Sequence, residues 1–250
     1  MTDAPRILTL DIETSPNIVY RWGLYDDGPV ALNQLIEPQR VISCAFKWYG
    51  KPRVLFHSEY HDGHAAFIER TYEIMNQADI LIHYNGTTFD MPHLRTEFAL
   101  AGMTPNAPAQ EIDLYQVVKR RFRFPSSKLD YVAQRLGVGG KVSHAGQALW
   151  TACLAGDPAA WRTMRRYNMN DVVITEGVYD KVRAWIKNPP NMGLWQPGDH
   201  VCPNCGSADL MRNGTRSAGL STYQRYQCRG CGAYSRSGKA IDRAVMRAAS

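Results

Sequence analysis

The sequence predicts an α/β fold, a mixed sheet flanked by helices with a small second module after it, on three observations. Short β-branched and aromatic runs fill the first half of the 250-residue chain, and patterns of helical period dominate from Ser127 onward. The stretch "NPPNMGLWQPGD", residues 188–199, breaks both patterns, because proline donates no backbone hydrogen bond and cannot continue a helix. The roughly 50 residues beyond it hold four of the six cysteines.

The elements follow in order. Ile7 to Asp11 is an apolar strand. "RVISCAFKWYG" and "PRVLFHS" are strand-like runs joined at "YGKP", which predicts a hairpin. "AAFIERTYEIMNQ" spaces Phe67, Ile68, Tyr72 and Met75 as on one helix. "DILIHYN" is the next strand, and "MPHLRTEFALAG" a helix with proline near its start and Gly102 at its end. Helices follow in "SKLDYVAQRLG", in "AGQALWTACLAG" and from Pro158 to Ile186, where Val172, Val173 and Val178 mark packed faces. Cys44 and Cys153, in apolar runs, read as core thiols. The predicted division is a body over 1–187, a linker at 188–199, a cysteine module at 200–237 and a short basic helix, "KAIDRAVMRAAS", at 238–250.

An apolar fraction of 44% is that of an ordinary globular protein, and no run of about 18 apolar residues is present to span a membrane. No signal peptide is visible, so the expectation is a cytoplasmic protein with reduced thiols. The net charge of +6 is uneven: from Gln196 onward eight Lys/Arg face three Asp/Glu, which leaves the rest nearly neutral. A basic tail on a neutral body points to a polyanionic partner such as nucleic acid.

"LTLDIET" places Asp11 and Glu13 two apart on a strand, so both side chains point the same way. Two anions about 6–7 Å apart repel, and a buried strand tolerates them only around a positive charge. In "IHYNGTTFDMPHL" a strand ends at Tyr84, Gly86 allows a tight turn, and Asp90, taken alone, reads as the N-cap of the helix that Pro92 opens. In "RRYNMNDVVI", Tyr167 and Asp171 are four apart and share a helix face. "VVKRRFRF" alternates basic and aromatic residues, fitting either a single-strand path with stacking on Phe122 or Phe124 or a solvated helix end. His83 and His93 read as packed or solvated.

In combination, "DIET", "NGTTFD" and "YNMND" resemble the three motifs of the DEDD superfamily of 3′–5′ exonucleases, in the tyrosine subclass that includes polymerase proofreading domains. "KLDYVAQRLGVGGK" is similar to the segment between the second and third motifs of exonucleases related to family B polymerases. The resemblance covers about residues 6–187 and implies a ribonuclease H-like fold with two Mg2+ (or Mn2+) ions. It implies that Asp11 bridges the ions, Glu13 and Asp171 hold the one that makes the nucleophile, Asp90 supports the other, and Tyr167 orients the attacking water. Asn85 and Phe89 are implied substrate contacts. The implied substrate is nucleic acid with a free 3′ end, the implied partner a DNA polymerase or other replication protein, and the implied setting a phage or mobile-element system. An RNA-trimming exoribonuclease and a non-catalytic nucleic-acid-binding subunit are the alternatives.

Cys202-x-x-Cys205 and Cys228-x-x-Cys231, with 22 residues between the pairs, have the spacing of a closed four-thiolate zinc site. Gly206 and Gly232 each follow a second cysteine, where a tight turn needs glycine. One structural Zn2+ is expected, since about 35 residues cannot build an adequate core unaided. The module resembles the zinc ribbons of insertion-sequence transposases through "CPNCGS", "RNG" and "QRYQCRGCG", which implies nucleic-acid contact by Arg212, Arg216, Arg225 and Arg229, or the grip of a partner protein.

Overall fold

The computed structural model describes residues 4–23, 25, 28–143, 145–196 and 200–246. β1 (Ile7–Thr14) leads into a two-stranded flap of β2 (Ile18–Val19) and β3 (Leu35–Glu37), then β4 (Val41–Trp48) and β5 (Val54–Ser58). α1 (Glu59–Asp62), α2 (His64–Met75), β6 (Ile80–His83), α3 (Asp90–Leu100), β7 (Gln110–Asp113) and α4 (Leu114–Arg121) follow. α5 (Leu129–Arg135), α6 (Gln147–Leu154) and the long α7 (Pro158–Val182) complete the body, and β8 (Leu210–Ala218), β9 (Ser221–Cys228) and β10 (Tyr234–Arg243) form the C-terminal module.

The main sheet has the order β5-β4-β1-β6-β7. β1 is antiparallel to β4 and parallel to β6, so the sheet is mixed, and the predicted hairpin is β4–β5. Alternation along β1 sets the two layers. Leu8, Leu10 and Ile12 pack with Phe67, Ile68, Met91 and Leu94 of α2 and α3. The odd positions point to the opposite layer, where Ile7 joins Ile174, Val178 and Val182 of α7. α7 starts on a firm cap: Asp157 accepts from Ala159 N and Pro158 takes the first turn. Val172 and Val178 are buried as expected, but Val173 is 45% exposed, because the helix turns that position outward. Cys44 and Cys153 are buried. Phe122 and Phe124 pack partly buried against the α7-side core, with Phe122 edge-on to Trp185 at 5.6 Å, which leaves "VVKRRFRF" closer to a helix end than to a stacking path.

Three expectations change. Residues 238–250 do not begin as a helix: β10 runs to Arg243, with Asp242 paired to Thr222 and Ala240 to Tyr223, and 247–250 lie outside the described residues. The segment after Asn188 is no free linker. Met192 is buried among α7 residues and its N–H donates to Pro203 O at 2.8 Å, while Asn204 Nδ2 donates to Arg183 O at 2.9 Å, tying the cysteine module to the end of α7. Residues 197–199 lie outside the described residues. Asp90 is the first residue of α3 rather than its cap, which is Phe89.

Candidate active site and cysteine cluster

Because β1 keeps its pleat through Glu13, Asp11 and Glu13 both face the α7 layer. There α7 presents Tyr167, Asn168 and Asp171, all buried. Carboxylate oxygens of Asp11, Glu13 and Asp171 lie within 4.8 Å of one another. Asp90 meets the same strand from the far side of the motif: its Oδ1 accepts the Ile12 N–H at 3.1 Å, which fixes the start of α3 against β1.

The electrostatics are those of a site built for cations. Burial, then the charges of Asp90, Asp171 and Glu13, push the Asp11 carboxyl well above its usual range. Burial, then Asp171, pushes Glu13 up to about 8. Burial likewise raises Asp90 to about 6 against the pull of His83. Asp171 Oδ1 is buried with no hydrogen-bond partner among the described residues. A crowd of hard oxygen donors with one bare buried oxygen fits a magnesium or manganese ion.

Several residues of the site were not singled out from the sequence, although Lys141 closes "KLDYVAQRLGVGGK" and Asn168 lies inside "YNMND". Lys141, in the loop after α5, ion-pairs with Asp171 and donates to Tyr167 Oη at 3.0 Å. Burial alone would lower its ammonium, but Asp171 outweighs burial and the net shift is upward. Burial, then Asp171 and Glu13, keeps the Tyr167 phenol protonated. Asn168 Nδ2 donates to Asp11 Oδ2 at 2.7 Å and to Asp11 O at 3.1 Å, and its Oδ1 accepts from Ser43 Oγ at 3.2 Å. The Asp11 side chain is thereby aimed from β4 and α7 together. Asp113 at the end of β7 accepts from Asn85 N at 3.0 Å and Thr87 N at 3.3 Å, holding the second motif's loop.

In that loop it is Asn85 that takes the left-handed conformation, at φ 69°. Gly86 is required for another reason: a Cβ there would lie 2.5 Å from His83 Cγ, the fully buried histidine. The carboxylates sit between two grooves. One, of about 460 Å³, is bordered by Asp11, Asn85, Tyr115 and Lys141. The other, of about 420 Å³, is bordered by Glu13, Phe89, Gln147 and Trp150. Asn85 and Phe89 thus flank the centre on opposite sides. His93 lies against Phe89, edge-on at 4.9 Å.

The four cysteines of the second module form one cluster within the same 4.8 Å limit. Cys202 Sγ to Cys231 Sγ is 3.7 Å and Cys205 Sγ to Cys228 Sγ is 3.6 Å. Tetrahedral Zn–S bonds of about 2.3 Å would set sulfurs about 3.8 Å apart, so the cluster is compatible with a zinc ribbon. The two knuckles repeat one design. Gly206 N donates to Cys202 O and Gly232 N to Cys228 O, both at 2.8 Å, and both glycines stand at φ 77°. The four predicted arginines do not converge. Arg216 and Arg225 share one face of the β8–β10 sheet, Arg212 pairs with Tyr226 on the other, and Arg229 sits at a knuckle 3.8 Å from Asp209.

Comparison with known proteins agrees with this architecture. Residues 36–183 match the family model described as the RNase_H superfamily, and the chain belongs to that superfamily. β1, with Asp11 and Glu13, lies outside the matched span. Among solved structures, the family B DNA polymerase of the hyperthermophilic archaeon Pyrobaculum calidifontis aligns with a TM-score of 0.55 and 21% identity. The alignment covers 72% of this chain but 25% of the polymerase chain, and it speaks to the fold alone. No curated protein matches. No helix among the described residues is long and apolar enough to cross a membrane. The class defined by fold and site is therefore an RNase H-like domain with an acidic cluster and a four-cysteine module.

Proposed function

We infer that this protein is a metal-dependent 3′–5′ exonuclease of the tyrosine subclass of the DEDD superfamily, hydrolysing terminal phosphodiester bonds of single-stranded DNA to nucleoside monophosphates. The observation that carries the reading is the meeting of Asp11, Glu13 and Asp171 within 4.8 Å, with Tyr167 one turn before Asp171. Asp11, Glu13 and Asp171, with Asp90 behind them, would hold two Mg2+ or Mn2+ ions. Such ions supply an activated water and stabilise the leaving 3′ oxygen.

The chain's own residues do the rest. Asn168 and Ser43 keep Asp11 in one rotamer, so the shared ligand is preorganised. Lys141 Nζ donates to the Tyr167 oxygen and holds the phenol beside the carboxylates, where its role in this reading is to orient a water or a phosphate oxygen. The Lys141 ammonium also offsets the charge of Asp171 and of an entering phosphodiester. Asn85 and Phe89 position the strand from the two grooves. One structural Zn2+ on the four cysteines would hold the ribbon, and a DNA polymerase or other replication protein is the proposed partner.

The test is a 5′-labelled single strand incubated with magnesium. The labelled product should shorten by one nucleotide at a time, and EDTA should stop it. Release of the label as a mononucleotide at the outset would mean the opposite polarity and contradict the reading. Running DNA and RNA strands of one sequence side by side assigns the sugar.

A further inference from the structure

We propose that the outward face of the β8–β10 sheet is a second nucleic-acid site, a platform that holds the single strand whose 3′ end the carboxylate centre trims. The proposal rests on the nuclease reading for the strand's identity and on the following geometry for the site. β9 is the middle strand, so its alternation divides the sheet into two faces. Tyr226 and Cys228 face the body, across a cavity of about 680 Å³ bordered by Leu194 and Val201. Tyr223 and Arg225 point the other way, and register brings Arg216 beside Tyr223 and Arg236 beside Arg225. Tyr234, paired with Gln227, lies on the same face and is 59% exposed.

The side chains on this face are arranged in layers of cation and ring. The Arg236 guanidinium lies 3.8 Å from the Tyr223 ring centroid, and Arg225 lies 5.5 Å from that of Tyr234. Arg225 is held in place by Asn213, whose O and Oδ1 accept from it at 2.7 and 3.1 Å. No carboxylate among the described residues shares the face: Asp242 pairs with Thr222 on the body side, and Asp209 precedes β8 beside Arg229. Four arginines without a counter-charge, Arg216, Arg225, Arg236 and, opposite Ser221 at the sheet's end, Arg243, interleaved with two tyrosines, have the chemistry of a single strand: guanidinium for phosphate and ring faces for unpaired bases. A duplex offers the phosphates but not the bases. Sequence alone selects arginines by their number in the tail. Strand alternation removes Arg212, the knuckle position removes Arg229, and register adds Arg236 and Arg243.

The experiment measures fluorescence anisotropy of a labelled 20-nucleotide single-stranded DNA, the matching RNA and the DNA duplex against the full chain, without added magnesium, over a range of salt. Arg216→Glu/Arg236→Glu should weaken single-strand binding about 10- to 30-fold at 0.1 M salt and lower the salt slope by about 1.4, the share of two phosphates left without a guanidinium. Tyr234→Ala should weaken it about 5-fold or more with the slope unchanged. Arg212→Glu makes the same charge change per residue on the other face and should stay within about twofold of wild type, as circular dichroism confirms an unchanged fold in all variants. Unchanged affinity in the double variant, an equal loss with Arg212→Glu, or equal binding of duplex and single strand would each overturn the platform. The 5′-label ladder run on the same proteins separates the two claims. A ladder with face-independent binding removes the platform and leaves the nuclease, whereas face-dependent binding without a ladder supports the platform and removes the nuclease.

Discussion

The carboxylate centre and the cysteine cluster each gather several ligands within 4.8 Å, yet they are assembled in opposite ways. Asp11, Glu13 and Asp171 come from a strand and a helix 158 residues apart in sequence, with Asp90 between them, and meet because two buried apolar layers hold β1 against α3 and α7. The cysteines sit on two local turns whose backbone bonds span four residues each. The first site uses the core to place its carboxylates, so a metal held there would be free to act as a reagent at an open groove. The second has little core, and its metal would be the core.

That contrast predicts different failures. The largest effect is expected from Asp11→Asn, which keeps an oxygen for Asn168 but removes the shared charge. Exonuclease activity should fall at least about 1,000-fold. Thermal stability in metal-free buffer should hold or rise, since one of several repelling carboxylates is gone. A lower melting temperature with activity retained would break the contrast. Cys228→Ser should do the reverse, with loss of bound zinc and of the β8–β10 fold and with the ladder retained. Its cost should spread to the body, because Asn204 and Met192 dock the module on α7. Zinc analysis and calorimetric melting check this together.

Tyr167→Phe should slow the reaction about 30- to 1,000-fold, the value of one transition-state hydrogen bond, less than Asp11→Asn does. Equal single-turnover rates for the two variants would give the phenol a larger role. The smallest effect concerns His64, whose ring lies 3.4 Å from Glu59 and 3.1 Å from Glu97. Its bonds to Glu59, then Glu97, raise it from 6.5 to about 9. A raised folded-state value means stabilisation fully present below pH 6.5 and lost as pH rises through about 9. Urea melts of His64→Gln should lose that decline; an unchanged pH profile would place its origin elsewhere.

Much of the first site was legible because its signals are periodic: a two-residue step puts Asp11 and Glu13 on one face, and a four-residue step does so for Tyr167 and Asp171. The roles of Asn168, inside "YNMND", and of Lys141, the last residue of "KLDYVAQRLGVGGK", were not legible, since each lies in a contact that only the fold makes, with Asp11 157 residues away and with Asp171 30 residues away. Gly86 looked like a turn glycine, whereas contact with His83 is what forbids a side chain. The knuckles were legible in full because everything that shapes them is local. The end of the same module was misread: Lys, Ala and Arg favour a helix, but pairing of β10 with Thr222 and Tyr223 prevails over that propensity.

The central claim is that an open carboxylate site, distinct from the cysteine cluster, binds the reactive ions. Manganese titration of the full chain, read by electron paramagnetic resonance, tests it most directly. Wild type and Cys228→Ser should both take up about two Mn2+ per chain, and Asp11→Asn and Glu13→Gln should not. Uptake that survives loss of Asp11 and Glu13, or vanishes with Cys228, would contradict the account.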